Sequence, residues 1–452
     1  MKLRVPHPLV LLTAGVILAA AASYVLPAGE YERRDDQATG RVVVVAGTYE
    51  EVEPNPVNLF EAMVALPRGM IDAADIIFLV FLIGGAFTVV DATGALRRGV
   101  TSLTRALQGR DLLIIPVVAV PFAIGGVVQN LQEEIIPLIP VLLILTRRLG
   151  FNAMVAVAMS AGAAFVGSAF SPINPFQVAI AQQLAELPLA SGALFRIVFL
   201  LIALGFWVAM TMRYAHRTRD RSRAGSEEPA EGADSSEGVR VSDLGIFGLV
   251  GAAFLLAVIG MLLWGWGFNE LSAAFFIMGV IVGLLAGLGV GGTTEAYLRG
   301  FREMTFAALL IGFARAIYVV LQDGRVVDTI VHGLFTPLEG LPVLASAFGM
   351  VAAQAAIHVP VPSVSGQAVL TMPVLVPLSD LLGMSRQVTV LAYQYGAGLC
   401  ELLTPTNGAL MAILASAKIR YEDWIRYVGP LYLGLVAIGM VAIWVALGIG
   451  LQ

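Results

Sequence analysis

Three carboxylates stand inside long apolar runs: Glu133 and Glu134 in Gln129-Asn130-Leu131-Gln132-Glu133-Glu134, and Glu401 in Leu399-Cys400-Glu401-Leu402-Leu403. A charge held at membrane depth costs about 2.5–3.5 kcal/mol on insertion scales, so such groups are expected to bind a coupling proton, a cation or a substrate amine, or to be locked to backbone N–H groups. Glu401 precedes Thr404 by three residues and so shares its helical face.

Two proline-centred breaks interrupt apolar stretches, Ser171-Pro172-Ile173-Asn174 and Thr404-Pro405-Thr406-Asn407. Proline lacks an N–H, so a helix broken there frees N–H groups at one half-helix end and C=O groups at the other, able to hold an anion and a cation respectively. Ser171, Asn174, Thr404, Thr406 and Asn407 add hydroxyl and amide ligands suited to a carboxylate, and a Na⁺ site is expected near Ser171, Asn174, Thr404 and Asn407. Two polar tips repeat the theme: 129–134 around Asn130, and Pro362-Ser363-Val364-Ser365-Gly366-Gln367. Small, turn-forming residues let a backbone approach a ligand closely. Arg315, the basic residue well inside an apolar helix of the second half, is expected to pair with a buried carboxylate, or else to neutralise a substrate carboxylate. His358 reads as a hydrogen-bonded bystander with proton shuttling as the alternative, and Cys400, the single cysteine, as a packing residue.

The elements that must position these groups are membrane helices. Of 452 residues, 58% are hydrophobic and 13% charged, against about 25% charged in soluble domains. Apolar runs of the roughly 20 residues needed to cross a bilayer recur along the chain: Pro8 to Pro27, Asp75 to Asp91, Leu194 to Met212, Leu244 to Trp266, Ser272 to Val290, Thr305 to Leu321 and Val428 to Ile449. The basic start and Ala20-Ala21-Ala22-Ser23 imitate a signal peptide, but the run is expected to stay as a first spanning helix. A polar region, Gly29 to Asn58, predicts a small extracytoplasmic β-hairpin, and the charged segment 214–243 predicts a disordered cytoplasmic linker.

An internal repeat joins the two interrupted regions: 405 minus 172 and 407 minus 174 are both 233, and Pro140-Val141-Leu142 lies over Pro373-Val374-Leu375. A weaker echo joins Leu82-Ile83-Gly84 to Leu310-Ile311-Gly312. Positive residues gather on the cytoplasmic side, which sets Lys2, Arg4, Arg97, Arg98, Arg105, Arg110, Arg147, Arg148 and the 217–223 cluster inside. With Arg110 and Arg147 on one side, 111–146 becomes a re-entrant hairpin, tolerated at depth where protein or a cavity surrounds it. The expected organisation is a first repeat, 1–213, with broken helix 151–184; the linker; a connector helix, 244–271; and an upside-down second repeat, 272–452, with outer hairpin 341–380 and broken helix 385–417. That is an all-α polytopic membrane protein of about nine crossings and two hairpins, N-terminus in and C-terminus out, in a bacterial inner membrane.

No Gly-rich phosphate loop and no zinc-type His or Cys spacing occurs in the sequence, which argues against ATP-driven transport by this chain and leaves an ion gradient as the driving force. The runs Pro362 to Gly396, Gln132 to Pro140 and Ser171 to Gln182 resemble the YfcC branch of the C4-dicarboxylate anaerobic carrier (DcuC) family, within the ion transporter superfamily. The resemblance covers nearly the whole chain and implies an inverted-repeat fold, a homodimer with a scaffold and a moving transport domain, and an elevator-type cycle. Carried over by motif, it implies a site at Asn130, Glu133, Ser171, Asn174, Ser363, Ser365, Thr404 and Asn407.

The expectation is a Na⁺- or H⁺-coupled carrier of a small carboxylate-bearing metabolite such as a C4-dicarboxylate. Asn130, Ser171, Asn174, Ser363, Ser365, Gln367, Thr404, Thr406 and Asn407 would bind substrate, while Glu133, Glu134, Glu401 and Arg315 would serve coupling or charge. An exchanger of basic amino acids or small peptides is the alternative, and a passive channel or membrane enzyme the remote one. No cofactor, catalytic residue or nucleic-acid partner is expected; membrane lipid and the small-molecule substrate are.

Overall fold

The computed structural model describes residues 8–36, 41–96, 98, 99, 102, 110–219 and 241–451. Lys2, Arg4, Arg97, Arg105 and linker residues 220–240 lie outside them. The described chain is mostly helical, and each expected span overlaps a helix: α1 (Pro8–Val25), α3 (Ala74–Ala92), α9 (Ala193–Thr218), α10 (Val241–Trp264), α11 (Phe268–Leu285), which ends five residues before the expected Val290, α12 (Gly289–Asp323), which begins sixteen residues before the expected Thr305, and α18 (Tyr421–Gly448). Two helices stand where the sequence reading set none: α2 (Leu59–Asp72) and α13 (Val327–Phe335). α2 begins at a capping box, with Asn58 Oδ1 accepting from the Glu61 N–H (3.0 Å) and Glu61 Oε2 from the Asn58 N–H (2.9 Å), a signature that satisfies otherwise orphaned donors. α9 runs on through Thr218 and α10 starts at Val241, so helix claims both ends of the 214–243 segment. Arg219 donates to the Leu149 carbonyl (3.1 Å) and pairs with Asp111, tying the end of α9 to the base of the first interrupted region.

The interrupted regions resolve into matched pieces. The first is α4 (Ile114–Gln129), a 3₁₀ turn at Glu133–Leu138, α5 (Ile139–Arg148), and then a helix made of α6 (Ala153–Val157), a π turn and α7 (Ala163–Ala169). After a non-helical gap a second π turn, Pro175–Ala179, leads into α8 (Ile180–Leu184). The second comprises α14 (Val343–His358), α15 (Val364–Leu381), α16 (Arg386–Cys400), a gap, and α17 (Gly408–Ser416). α6 and α16 start 233 residues apart, as do the ends of α5 and α15. Packing repeats as well: α4 lies on α7, and α14 on α16. The first contact is backbone against backbone, since a Cβ at Gly126 would sit 2.0 Å from the Ala164 carbonyl oxygen and one at Gly167 2.2 Å from that of Ala123.

Around these pieces α12 forms a strut against α1, α2, α3 and α17, while α11 packs on α3. Each half thus lends a helix to the other's long element. By length and composition seven described helices can cross a membrane, and they include Asp111–Gln129 and Val364–Leu381, both within regions the sequence reading made hairpins. The region 29–51 carries two antiparallel ladders, β1 (Gly29–Glu30) with β4 (Glu50–Glu51), and β2 (Arg33–Asp36) with β3 (Arg41–Val44), Arg33 opposite Val44. β3 packs on α15. Buried Asp328 on α13 anchors the unit, pairing with Arg33 (2.9 Å) and accepting from the Tyr31 N–H (2.9 Å).

Candidate functional site

Each tip and break is shaped by its own residues. α4 ends because Asn130 turns left-handed (φ 56°) while its N–H still donates to the Gly126 carbonyl (3.1 Å); asparagine tolerates that conformation better than most residues. Pro360 and Pro362 separate α14 from α15, and Ser363 caps the latter, its Oγ accepting from the Gly366 N–H (3.2 Å). At the second break Asn407 caps α17, its Oδ1 accepting from the Leu410 N–H (3.0 Å). At the first, Asn174 Oδ1 accepts from the N–H groups of Phe176 (2.9 Å) and Gln177 (3.0 Å).

Both tips and the second break meet around one cavity of ≈ 360 Å³. The first tip contributes Gln129, Asn130, Gln132, Glu133 and Glu134; the second Pro362, Ser363, Val364 and Ser365; the break Glu401, Thr406, Asn407, Gly408 and Ala409. Arg315 of α12 is the sole basic residue of this lining, and Phe176 and Phe268 add aromatic surface. Gln132 joins the halves: its Nε2 donates to Glu401 Oε1 (2.6 Å), its Oε1 accepts from Asn407 Nδ2 (3.1 Å), and its N–H donates to Glu134 Oε2 (3.2 Å). Glu401 is 3% exposed, and its second oxygen, Oε2, has no hydrogen-bond partner among the described residues. Thr406 Oγ donates to the Val359 carbonyl (2.5 Å), fastening the break to the second tip.

Of the other sequence-selected residues, Ser171, Asn174, Gln367 and Thr404 lie outside this lining. Ser171 Oγ donates to the Val127 carbonyl (2.8 Å) and accepts from the Asn174 N–H (2.9 Å), and Asn174 Nδ2 donates to the Gly126 carbonyl (2.8 Å). These two residues staple the first break to the end of α4. Ser168 extends the contact by donating to Asn130 Oδ1. Gln367 is buried in a network under the second tip, accepting at Oε1 from His358 Nδ1 (3.0 Å) and donating from Nε2 to Gln354. Thr404 Oγ lies 3.5 Å from that of Thr406. Arg315, expected to meet a buried carboxylate, pairs instead with half-exposed Asp72 and lies over the Tyr318 ring at 4.9 Å. Cys400 is buried and donates to the Ala355 carbonyl (3.3 Å).

No group of three or more His, Cys, Asp or Glu side chains placed to hold a metal ion occurs among the described residues. Gln132 is the residue the sequence reading passed over. It stands within the polar tip beside the charges of Glu133 and Glu134, and nothing local signals an amide that reaches a residue 269 positions away.

Residues 5–448 match the family described as C4-dicarboxylate anaerobic carrier, DcuC. Over 96% of its length the chain is 31% identical to YfcC of Escherichia coli K12, a protein provisionally named a basic amino acid antiporter, of which it covers 94%. It is 27% identical, over 96% of each chain, to an uncharacterized protein of Haemophilus influenzae. Among solved structures it aligns with the YdaH transporter of Alcanivorax borkumensis at 17% identity and a TM-score of 0.46, over 98% of this chain and 99% of that one. MtrF of Neisseria gonorrhoeae aligns at 15% identity and 0.42, over 98% and 95%.

Proposed function

We propose, from the premise that this chain belongs to the C4-dicarboxylate anaerobic carrier family, that it is an ion-coupled carrier whose cargo bears both a carboxylate and a basic amine. A secondary transporter in a membrane, rather than an enzyme, is what the family and the relatives support. The choice of cargo rests on one observation, the excess of carboxylates in the central cavity. Glu133, Glu134 and Glu401 line it, while its one arginine already has Asp72 as partner. A dicarboxylate would add two negative charges to that set; a basic amino acid adds cationic groups that the set can hold.

The carboxylate end of such a cargo has donors too. The N-terminus of α17 brings Gly408 and Ala409 to the cavity, and the start of α15 brings Val364 and Ser365. Helix N-termini attract anions through free N–H groups and the helix dipole. Those ends, with Arg315, are the features that favour a C4-dicarboxylate as the second reading. In the cycle we propose, Na⁺ or H⁺ is the coupling ion, Glu401 and Glu133 receive it or the amine, and 111–146 and 341–380 act as re-entrant hairpins of inverted halves in an elevator-type homodimer of the bacterial inner membrane.

Counterflow in proteoliposomes tests the cargo. Vesicles loaded with unlabelled arginine or ornithine should accumulate radiolabelled arginine, with dependence on pH or Na⁺. Accumulation with succinate alone would reject the amine-bearing cargo in favour of the second reading.

A further inference from the structure

We propose that a second cavity, on the side of the molecule that carries the strands, is a binding site for small organic cations such as amines and guanidinium compounds. It has a volume of ≈ 380 Å³ and shares no lining residue with the central cavity. Its lining is aromatic and acidic at Tyr31, Tyr49, His332, Phe335 and Glu339, and apolar at Val374, Pro377, Leu378 and Leu381 of α15.

The aromatic wall is held in place before any ligand arrives. Tyr49 stacks on the His332 imidazole (centroids 4.1 Å apart, planes at 6°), and Tyr31 meets Tyr49 edge-on at 5.4 Å. Tyr31 Oη lies 3.3 Å from His332 Nδ1, and Tyr49 Oη 3.0 Å from Thr329 Oγ. Ring faces carry negative electrostatic potential and attract cations, and Glu339 adds a formal negative charge at the same wall. Arg33 does not cancel it, because its guanidinium is engaged by both oxygens of Asp328.

The surroundings deepen the preference. Between residues 29 and 55 the sequence holds seven carboxylates (Glu30, Glu32, Asp35, Asp36, Glu50, Glu51 and Glu53) against three arginines. The Tyr31 phenol is pushed up to about 12 by burial and by the negative charge of its neighbours, Asp328 and Glu339 among them. A site with this field draws a cation and repels a carboxylate, whatever the cargo of the central cavity.

The test uses the full-length protein in lipid nanodiscs. Carbethoxylation of His332 by diethylpyrocarbonate is followed by peptide mass spectrometry with L-arginine, tetramethylammonium or succinate present. Arginine and tetramethylammonium should each slow modification at least about threefold and saturably, with succinate inert. Glu339→Gln, a change at an exposed side chain, and Tyr49→Ala should both abolish the protection, and Glu401→Gln should leave it intact. Unchanged modification rates, equal protection by succinate, or protection that vanishes in Glu401→Gln and survives in Glu339→Gln would each overturn the assignment.

Discussion

Replacing Glu401 by Gln separates the two cargo readings more sharply than any other single change. The side chain is 3% exposed, and one oxygen accepts from Gln132 Nε2 at 2.6 Å while the other has no hydrogen-bond partner among the described residues. Glutamine keeps the shape and can still accept from Gln132 through its amide oxygen, so the tie between the halves survives. What disappears is the capacity to ionise. A hydrogen bond to a charged group contributes about 1.5–3 kcal/mol, and each 1.4 kcal/mol is tenfold in affinity. The apparent affinity for arginine should therefore fall by roughly 10- to 150-fold while uptake of succinate, if any occurs, stays level or rises. The assay is counterflow of labelled arginine and succinate in proteoliposomes of equal protein density, with thermal unfolding of the purified variant as a folding control. A variant that folds normally and keeps its arginine KM within about threefold of the parent would refute the role assigned to Glu401.

Gln132→Ala should lower thermal stability by about 2–3 kcal/mol and abolish counterflow, because a buried carboxylate loses its donor and Asn407 its acceptor; a stable, active variant would remove the bridge from the mechanism. Asn174→Ala should cost about 1–2 kcal/mol in denaturation, the usual loss for an N-cap, since its side chain caps two N–H groups and holds the end of α4. Arg315→Gln should change uptake by less than about fivefold, as partly exposed ion pairs contribute about 0.2–1 kcal/mol and each 1.4 kcal/mol is tenfold; a larger loss would place Arg315 on the substrate instead. In a Cys400→Ala background, a cysteine replacing Gly47 should react with an impermeant maleimide only from outside the cell, and one replacing Arg219 only from inside; reversed labelling would invert the proposed topology.

Helices were legible because their cause is continuous: an apolar run long enough to span a bilayer has few alternatives to helix, since each buried N–H and C=O must be paired within the segment. The seven expected spans accordingly overlap helices. The elements that escaped are those whose cause is local or distant. α2 is set by the Asn58–Glu61 capping box and continues through Pro67, which reads as a breaker in sequence, and α13 is short and held by contacts to the strands, above all that of Asp328 with Arg33.

Spacing showed where the chain breaks without showing what each break faces. Ser171 and Asn174 hold the same repeat positions as Thr404 and Asn407, 233 residues earlier, and a pseudosymmetric site would use both pairs alike. Their surroundings differ. Behind the first break stands the end of α4, brought within backbone contact by Gly126, whose carbonyl takes Asn174 Nδ2 at 2.8 Å. Behind the second stands the Gln132 amide, which takes Asn407 Nδ2 at 3.1 Å and at the same time holds Glu401 at the cavity. One asparagine therefore spends its donor on the scaffold of its own half, and the other on the tip of the opposite half. On that asymmetry we expect Asn407→Ala to raise KM or abolish uptake at a smaller cost in stability than Asn174→Ala. Equal stability losses with equal transport defects would restore the symmetric site.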